Sequence, residues 1–181
     1  KNFKIKPNLT NDDSNLYIVA VPTPLDRNKK PDLTYLIKAT KDVCKKLKYG
    51  DTIVYESTVY PGTTEEILIP IIKKNCKLEY NKDYYIGYSP ERINPGDTKN
   101  KLTNIKKIIS GGNKKTLNFL KKIYSKIIKA GVHSAPNIKV AEAAKILENV
   151  QRDINISLMN EVALIFDKLN ISTSDVLKAA S

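Results

Sequence analysis

Hydrophobic and polar positions change period several times along this chain, and each change predicts an element. The longest regular pattern covers residues 139–170, where Val140, Ala144, Leu147, Ile154, Leu158, Val162, Ile165 and Leu169 fall on one stripe at about 100° per residue. That is the width of a core-facing helix. On the other side of the wheel, Lys145, Asn149 and Arg152 lie within about 60° of one another, because positions i, i+4 and i+7 share a face. Taken alone, such a trio reads as a solvated helix face.

Upstream, short apolar runs alternate with helical patterns. Residues 16–21 (LYIVAV) have strand length and continuous apolar character, typical of a strand buried on both faces of a parallel sheet. The PTP that follows cannot continue a ladder. Pro31-Asp32 opens a helix over about 33–48, closed by Gly50. TIVYE (52–56), YYIGY (84–88) and KKIIS (106–110) read as further strands, with a short one near 131–134. Helices are predicted at about 63–75, which Pro70 should kink or shorten, at about 114–129, and in TSDVLKAAS, capped by Ser172 or Thr173. Residues 2–15 are polar and without period, the end of an interrupted element and a loop. Strands alternating with helices over short connections predict an α/β fold, a doubly wound parallel (Rossmann-like) sheet, here incomplete, followed by a long central helix.

Composition narrows this little. The 181 residues, 41% hydrophobic, suffice for one domain with a core, or one plus part of another. The charge of +12 raises the question of a polyanion partner. Its distribution argues against nucleic acid: lysines are spread over nearly every helix, the arginines are Arg27, Arg92 and Arg152, and aromatics do not interleave as a stacking platform. No apolar run approaches the roughly 20 residues of a membrane span, so no membrane partner is expected. Cys44 and Cys76 form neither a metal-ligand spacing nor a disulfide framework, which makes a reducing, cytoplasmic compartment the default and leaves no metal site. The chain starts at Lys1 and has one methionine, Met159, so it reads as a piece of a longer protein.

In open α/β sheets ligands lie beyond the carboxyl ends of the strands. That is where PTP, STVYPG and SPERINPGD fall, with hydroxyls and backbone N–H groups suited to a phosphate-bearing ligand. Each loop alone is ordinary turn chemistry; together with the Lys145 face they point to a site.

The stretches VAVPTPLD, VYESTVYPGTTEE, GYSPERINPGD and EAAKILENVQRDINISLMNE, in this order from Leu16 onward, resemble the nucleotide-sugar 6-dehydrogenases that oxidise UDP-glucose, GDP-mannose or UDP-N-acetylhexosamines. The resemblance implies an enzyme that uses NAD twice to turn a sugar CH2OH into a carboxylate, through an aldehyde and a cysteine thioester. It further implies that residues 1–136 are the later part of an NAD-binding domain, and that 137–181 are the central helix and the start of a helical substrate and dimerisation domain. Pro22, Thr23, Ser57 and Thr58 then match cofactor-contacting positions, with Thr58 also holding an active-site water. Glu91 matches a carboxylate assigned to thioester hydrolysis. Arg92 and Ile93 would lie along the sugar nucleotide, and Arg152 would reach substrate or a second subunit. Lys145 and Asn149 match the pair that stabilises the developing oxyanion. The chemistry agrees: a hydride leaves as the hydroxyl proton is lost, so an ammonium and an amide one helical turn apart stabilise charge where it appears. Hydrolysing a thioester needs a base for water, a task for a carboxylate partly desolvated in a cleft.

There are departures from the family pattern. No GxGxxG occurs, and the family's nucleophilic cysteine in its glycine-rich segment has no counterpart. Cys44 and Cys76 lack that context and read as buried structural thiols. UDP-glucose members tend to carry a second glutamate where Pro95 stands, so the chain resembles the UDP-N-acetylhexosamine or uronic-acid branch used for surface polysaccharides. On its own, without the dinucleotide turn and the thiol, it is expected to be inactive. Two other readings stay open: a two-electron β-hydroxyacid dehydrogenase with a similar lysine–asparagine pair, and a non-catalytic basic module that binds polyanions. His133 reads as structural or exposed, Tyr84, Tyr85 and Tyr88 as strand packing, and Arg152 has a local partner in Glu148.

Overall fold

The structure, a computed structural model, describes residues 15–93 and 102–180; the polar segment up to residue 14 and the Pro95 position lie outside the described residues. Five strands, β1 (Leu16–Val19), β2 (Thr52–Tyr55), β3 (Tyr85–Tyr88), β4 (Lys107–Gly111) and β5 (Val132–Ser134), stand side by side in sequence order. The first three are parallel, with Val19 beside Tyr55 and Tyr55 beside Tyr88. β4 turns antiparallel to β3, and β5 runs parallel to β4. The mostly parallel sheet is as expected; the reversal at β4 is not written in the pattern of apolar positions, which has the same period in either direction.

That reversal sorts the helices. Right-handed crossovers stepping one way along the sheet put α1 (Thr34–Cys44) and α2 (Ile69–Asn75) on one face. The reversed pair β4–β5, stepping the same way, puts α3 (Lys114–Tyr124) on the other. Two cores result. Ile53, Tyr55, Ile86 and Tyr88 pack with Leu36, Val43, Leu68 and Ile72, whereas Val54 and Ile109 pack with Leu120, Tyr124 and Ile128. Successive residues of β2 thus enter opposite cores. A side chain at Gly87 would overlap Leu120 Cδ1, so glycine there lets α3 settle on β3.

Three expectations need correction. β1 is not buried on both faces: Tyr17 and Val19 are buried, but Ile18 is 53% exposed, because β1 lies at the edge of the described sheet and α3 packs on β3, β4 and β5. Residues 63–75 are helical throughout, as expected, but not as one α-helix. A π turn, Thr63–Leu68, precedes α2, and Ile69 N–H donates to Thr64 O five residues back. The wider turn accommodates Pro70, which brings no N–H and would press its ring on the carbonyl four residues earlier. The third concerns α4 (Ile138–Lys168). Its predicted core stripe is largely exposed, Leu147 at 68%, Ile154 at 59% and Leu169 at 60%. The residues it buries are Ile138, Ala141, Glu142 and Lys145, spaced i, i+3, i+4 and i+7. Two of those four carry charge, which hid the face from a hydrophobic reading.

The chain divides into two compact units, the first ending at Lys145 and the second starting at Ile146. In the second, Asn170, two residues past the end of α4, takes the left-handed conformation (φ 55°), and Ile171 N–H donates to Phe166 O at 2.9 Å. Ser172 Oγ then accepts Asp175 N–H and caps α5 (Thr173–Ala180), as the sequence predicts.

Candidate active site

The carboxyl ends of β1–β3 and the amino ends of β4 and β5 share one edge of the sheet, which brings three loops together. The two loops after β1 and β2 are interlocked by side chains. Thr23 Oγ1 donates to Thr58 O at 2.6 Å, and Ser57 Oγ donates to Val21 O at 2.6 Å. The buried Tyr88 hydroxyl donates to Ser57 O at 3.1 Å, and burial pushes that phenol up, which keeps the donating proton in place. Carbonyls leaving a strand must find donors, and here hydroxyls supply them. Pro22 is exposed at the rim, Thr23 and Thr58 are half-buried, and Ser57 is buried. Because each hydroxyl hydrogen is engaged with a carbonyl, Thr23 and Ser57 have acceptor capacity left and no donor. They suit ribose hydroxyls or a carboxamide, which donate, better than the phosphate oxygens that the loop sequence suggested.

The third loop follows β3. Glu91 Oε1 accepts the N–H groups of Arg92 and Ile93 at 2.6 and 2.8 Å, while Arg92 Nη1 donates to Lys106 O at 2.9 Å. Beneath them lies a charged cluster that the sequence reading did not single out. Lys107, only 4% exposed, sets its ammonium 3.4 Å from Glu56 Oε1, 3.8 Å from Glu91 Oε2, 3.4 Å from Pro90 O and over the Tyr124 ring. Tyr124 OH also donates to Glu56, and burial followed by that carboxylate holds its phenol above the usual range. Buried charges persist when paired in this way. The available signal was a lysine opening an apolar strand that follows the glutamate-ended TIVYE.

At the start of α4, Glu142 is fully buried and takes three hydrogen bonds: from Gly62 N–H at 2.6 Å, Thr64 N–H at 2.9 Å and Thr64 Oγ1 at 2.7 Å. Gly62 occupies the cap position of the π turn with φ 92°, a conformation suited to glycine, and has no side chain to cap with. The orphan N–H groups of that helix start are satisfied by a carboxylate 80 residues away. Burial pushes the Glu142 carboxyl above its ordinary value, against the three hydrogen bonds, which pull it down. Lys145, one turn later, is buried at 7% exposure. Asn149 and Arg152 belong to the second unit; both are half-buried, and Arg152 Nη2 stands 3.7 Å from Glu148 Oε1.

Residues 2–128 match the NAD binding domain of the UDP-glucose/GDP-mannose dehydrogenase family, and residues 139–181 match its central domain. The chain belongs to this family. Over 168 residues it is 55% identical to a UDP-N-acetyl-D-glucosamine 6-dehydrogenase of Salmonella typhi, covering 93% of this chain and 40% of that one. The solved UDP-D-ManNAc dehydrogenase of Pyrococcus horikoshii superposes with a TM-score of 0.86 at 33% identity, over 93% of this chain and 40% of that one. A ternary complex of GDP-mannose dehydrogenase from Pseudomonas aeruginosa, 24% identical over 92% of this chain and 39% of that one, shares the fold with a TM-score of 0.84. The chain thus spans about 40% of the length of the relatives it matches.

Among the described residues of the chain, no group of His, Cys, Asp and Glu is placed to hold a metal, and no helix is long and apolar enough to cross a membrane. His133 is exposed. Cys44 is buried, its thiol pushed up to about 11 by burial first and by Cys76 next, so it is a packing residue and a poor nucleophile.

Proposed function

We propose that this chain carries the later part of the NAD-binding domain and the central helix of a UDP-N-acetylhexosamine 6-dehydrogenase. The reaction converts RCH2OH, two NAD+ and water into RCOO−, two NADH and three protons. The observation that carries the reading is the buried Lys145, on the face of α4 whose Glu142 grips the turn that follows Thr58. An ammonium there stabilises an alkoxide as it forms. Names of similar proteins, the Salmonella UDP-N-acetyl-D-glucosamine 6-dehydrogenase among them, support the substrate class.

NAD, when bound, takes up the hydride in both oxidations. The lone pairs of Thr23 and Ser57 and the rim at Pro22 would hold its donor groups. Thr58 orients a water. Lys145 and Asn149, one turn apart on α4, donate to the C6 oxygen while its proton departs. Glu91 takes a proton from the water that releases the carboxylate from a thioester. Arg92, Ile93 and Arg152 contact the sugar nucleotide. We further propose that the exposed apolar residues of α4 pair two copies into a homodimer, and that the enzyme works in the cytoplasm, where UDP-sugars serve polysaccharide assembly.

The test is stoichiometry. The full-length protein that carries this chain, given limiting UDP-N-acetylglucosamine and excess NAD, should form two NADH per sugar. One NADH per sugar would indicate a two-electron dehydrogenase instead, and none with any UDP-sugar would overturn the reading.

A further inference from the structure

We infer that Glu142 is a positioning residue that locks the Thr58 loop to the helix bearing Lys145, so that the two groups keep one spacing through turnover. The inference rests on the dehydrogenase reading above.

The loop is pinned at both ends by different means. At its strand end, Ser57 and Tyr88 fasten it to Val21 and to β3, as described. Inside, Val59 is buried and Thr63 Oγ1 donates to Tyr60 O at 2.6 Å. At its helix end the restraint is the Glu142 carboxylate, with both oxygens occupied by Gly62 and Thr64. The outer tie between the same two segments, Lys139 to Glu66 at 2.6 Å, is solvent-exposed and contributes little. Glu142 and Lys145 are three residues apart on a continuous helix, about 4.5 Å along its axis, so what fixes one fixes the other. A side-chain cap at residue 62 could have accepted the Thr64 N–H, but the φ of 92° there favours glycine, which has no side chain. The cap therefore comes from α4, and with it comes registry between α4 and the loop. Misplacing a reacting group by about 1 Å costs up to a hundredfold in rate, which makes that registry matter for chemistry as well as for folding.

The experiment uses the full-length protein with UDP-N-acetylglucosamine, unlabelled and dideuterated at C6, with rates normalised to titrated folded sites. Glu142→Gln turns one acceptor into a donor facing an N–H. It should lower kcat about tenfold or more, leave the KM for UDP-sugar within about threefold, and raise the primary isotope effect on kcat as hydride transfer becomes slower than the other steps. Thr64→Val, which removes only the hydroxyl contact, is a milder variant that folds more readily and should move the same quantities in the same direction. Lower melting temperature with kcat and isotope effect unchanged per folded site would overturn the inference, because a cap that serves stability alone behaves so. A wild-type protein that reduces no NAD with any UDP-sugar overturns the dehydrogenase reading and this inference together. An active wild type with unchanged variants overturns the inference alone.

Discussion

Lys107 shows how much a single side chain decides at the floor of the site. Its ammonium stands between Glu56, whose side chain is 17% exposed, and Glu91, whose side chain is 43% exposed. Removing it strands Glu56 more than Glu91, which keeps two backbone N–H donors and access to water. Lys107→Met should therefore cost about 3 kcal/mol, the low end for breaking a buried pair, read as a lower urea midpoint. Adding Glu56→Gln should return at least half of that loss, because the stranded charge goes with it. A double variant no more stable than the single one would mean that the loss comes from packing. The sequence held only a faint sign of this, a lysine opening an apolar strand. Thr23, Ser57, Thr58 and Glu91 stood out in their loops, whereas Lys107 and Glu142 sit in a strand and a helix, where a charged residue is ordinarily read as surface.

Strands and helices were legible where period and punctuation agreed: LYIV, TIVY and YIGY are strands, and Asn137 accepts Val140 N–H to open α4 where Pro136-Asn137 stands. The π turn was not, because its cause is a proline seven residues after its start combined with a cap supplied by another helix. The direction of β4 was not, because pairing direction leaves no trace in side-chain alternation. The π turn makes its own prediction. Gly62 and Gly50 have φ of 92° and 89°; a Cβ at Gly62 would meet the Glu66 carboxylate at 3.0 Å, whereas at Gly50 it would meet nothing. Glu66 is an exposed, flexible end that can swing aside, so Gly62→Ala and Gly50→Ala should each lose about 1–2 kcal/mol, the cost of a left-handed L-residue. A loss at Gly62 several times larger in denaturant melts would mean that the turn moves and sheds its Glu142 cap.

For the whole molecule, the expectation concerns what α4 leaves uncovered. Leu147, Ile154, Leu158, Ile165 and Leu169 are each more than half exposed along one stripe, more contiguous apolar surface than a solitary helix face carries without a partner. The full-length protein should sediment as a dimer, and Ile154→Glu with Leu158→Glu should shift it to monomer, raising the dissociation constant at least about a hundredfold, since a buried unpaired charge costs several kcal/mol. A wild-type monomer would remove the dimer proposal and leave the site proposals standing. The antiparallel return at β4 carries one more consequence. Tyr88 at the end of β3 pairs with Ser110, and Ser89 Oγ donates to Ile108 O at 2.8 Å, so the chain leaves the sheet and re-enters it at neighbouring points on one rim. A detour whose exit and entrance are fastened together can change length almost for free: doubling it adds only about 0.6 kcal/mol of closure entropy. The stretch between β3 and β4 is therefore where related chains are at liberty to differ in length, while the strands on either side stay where they are.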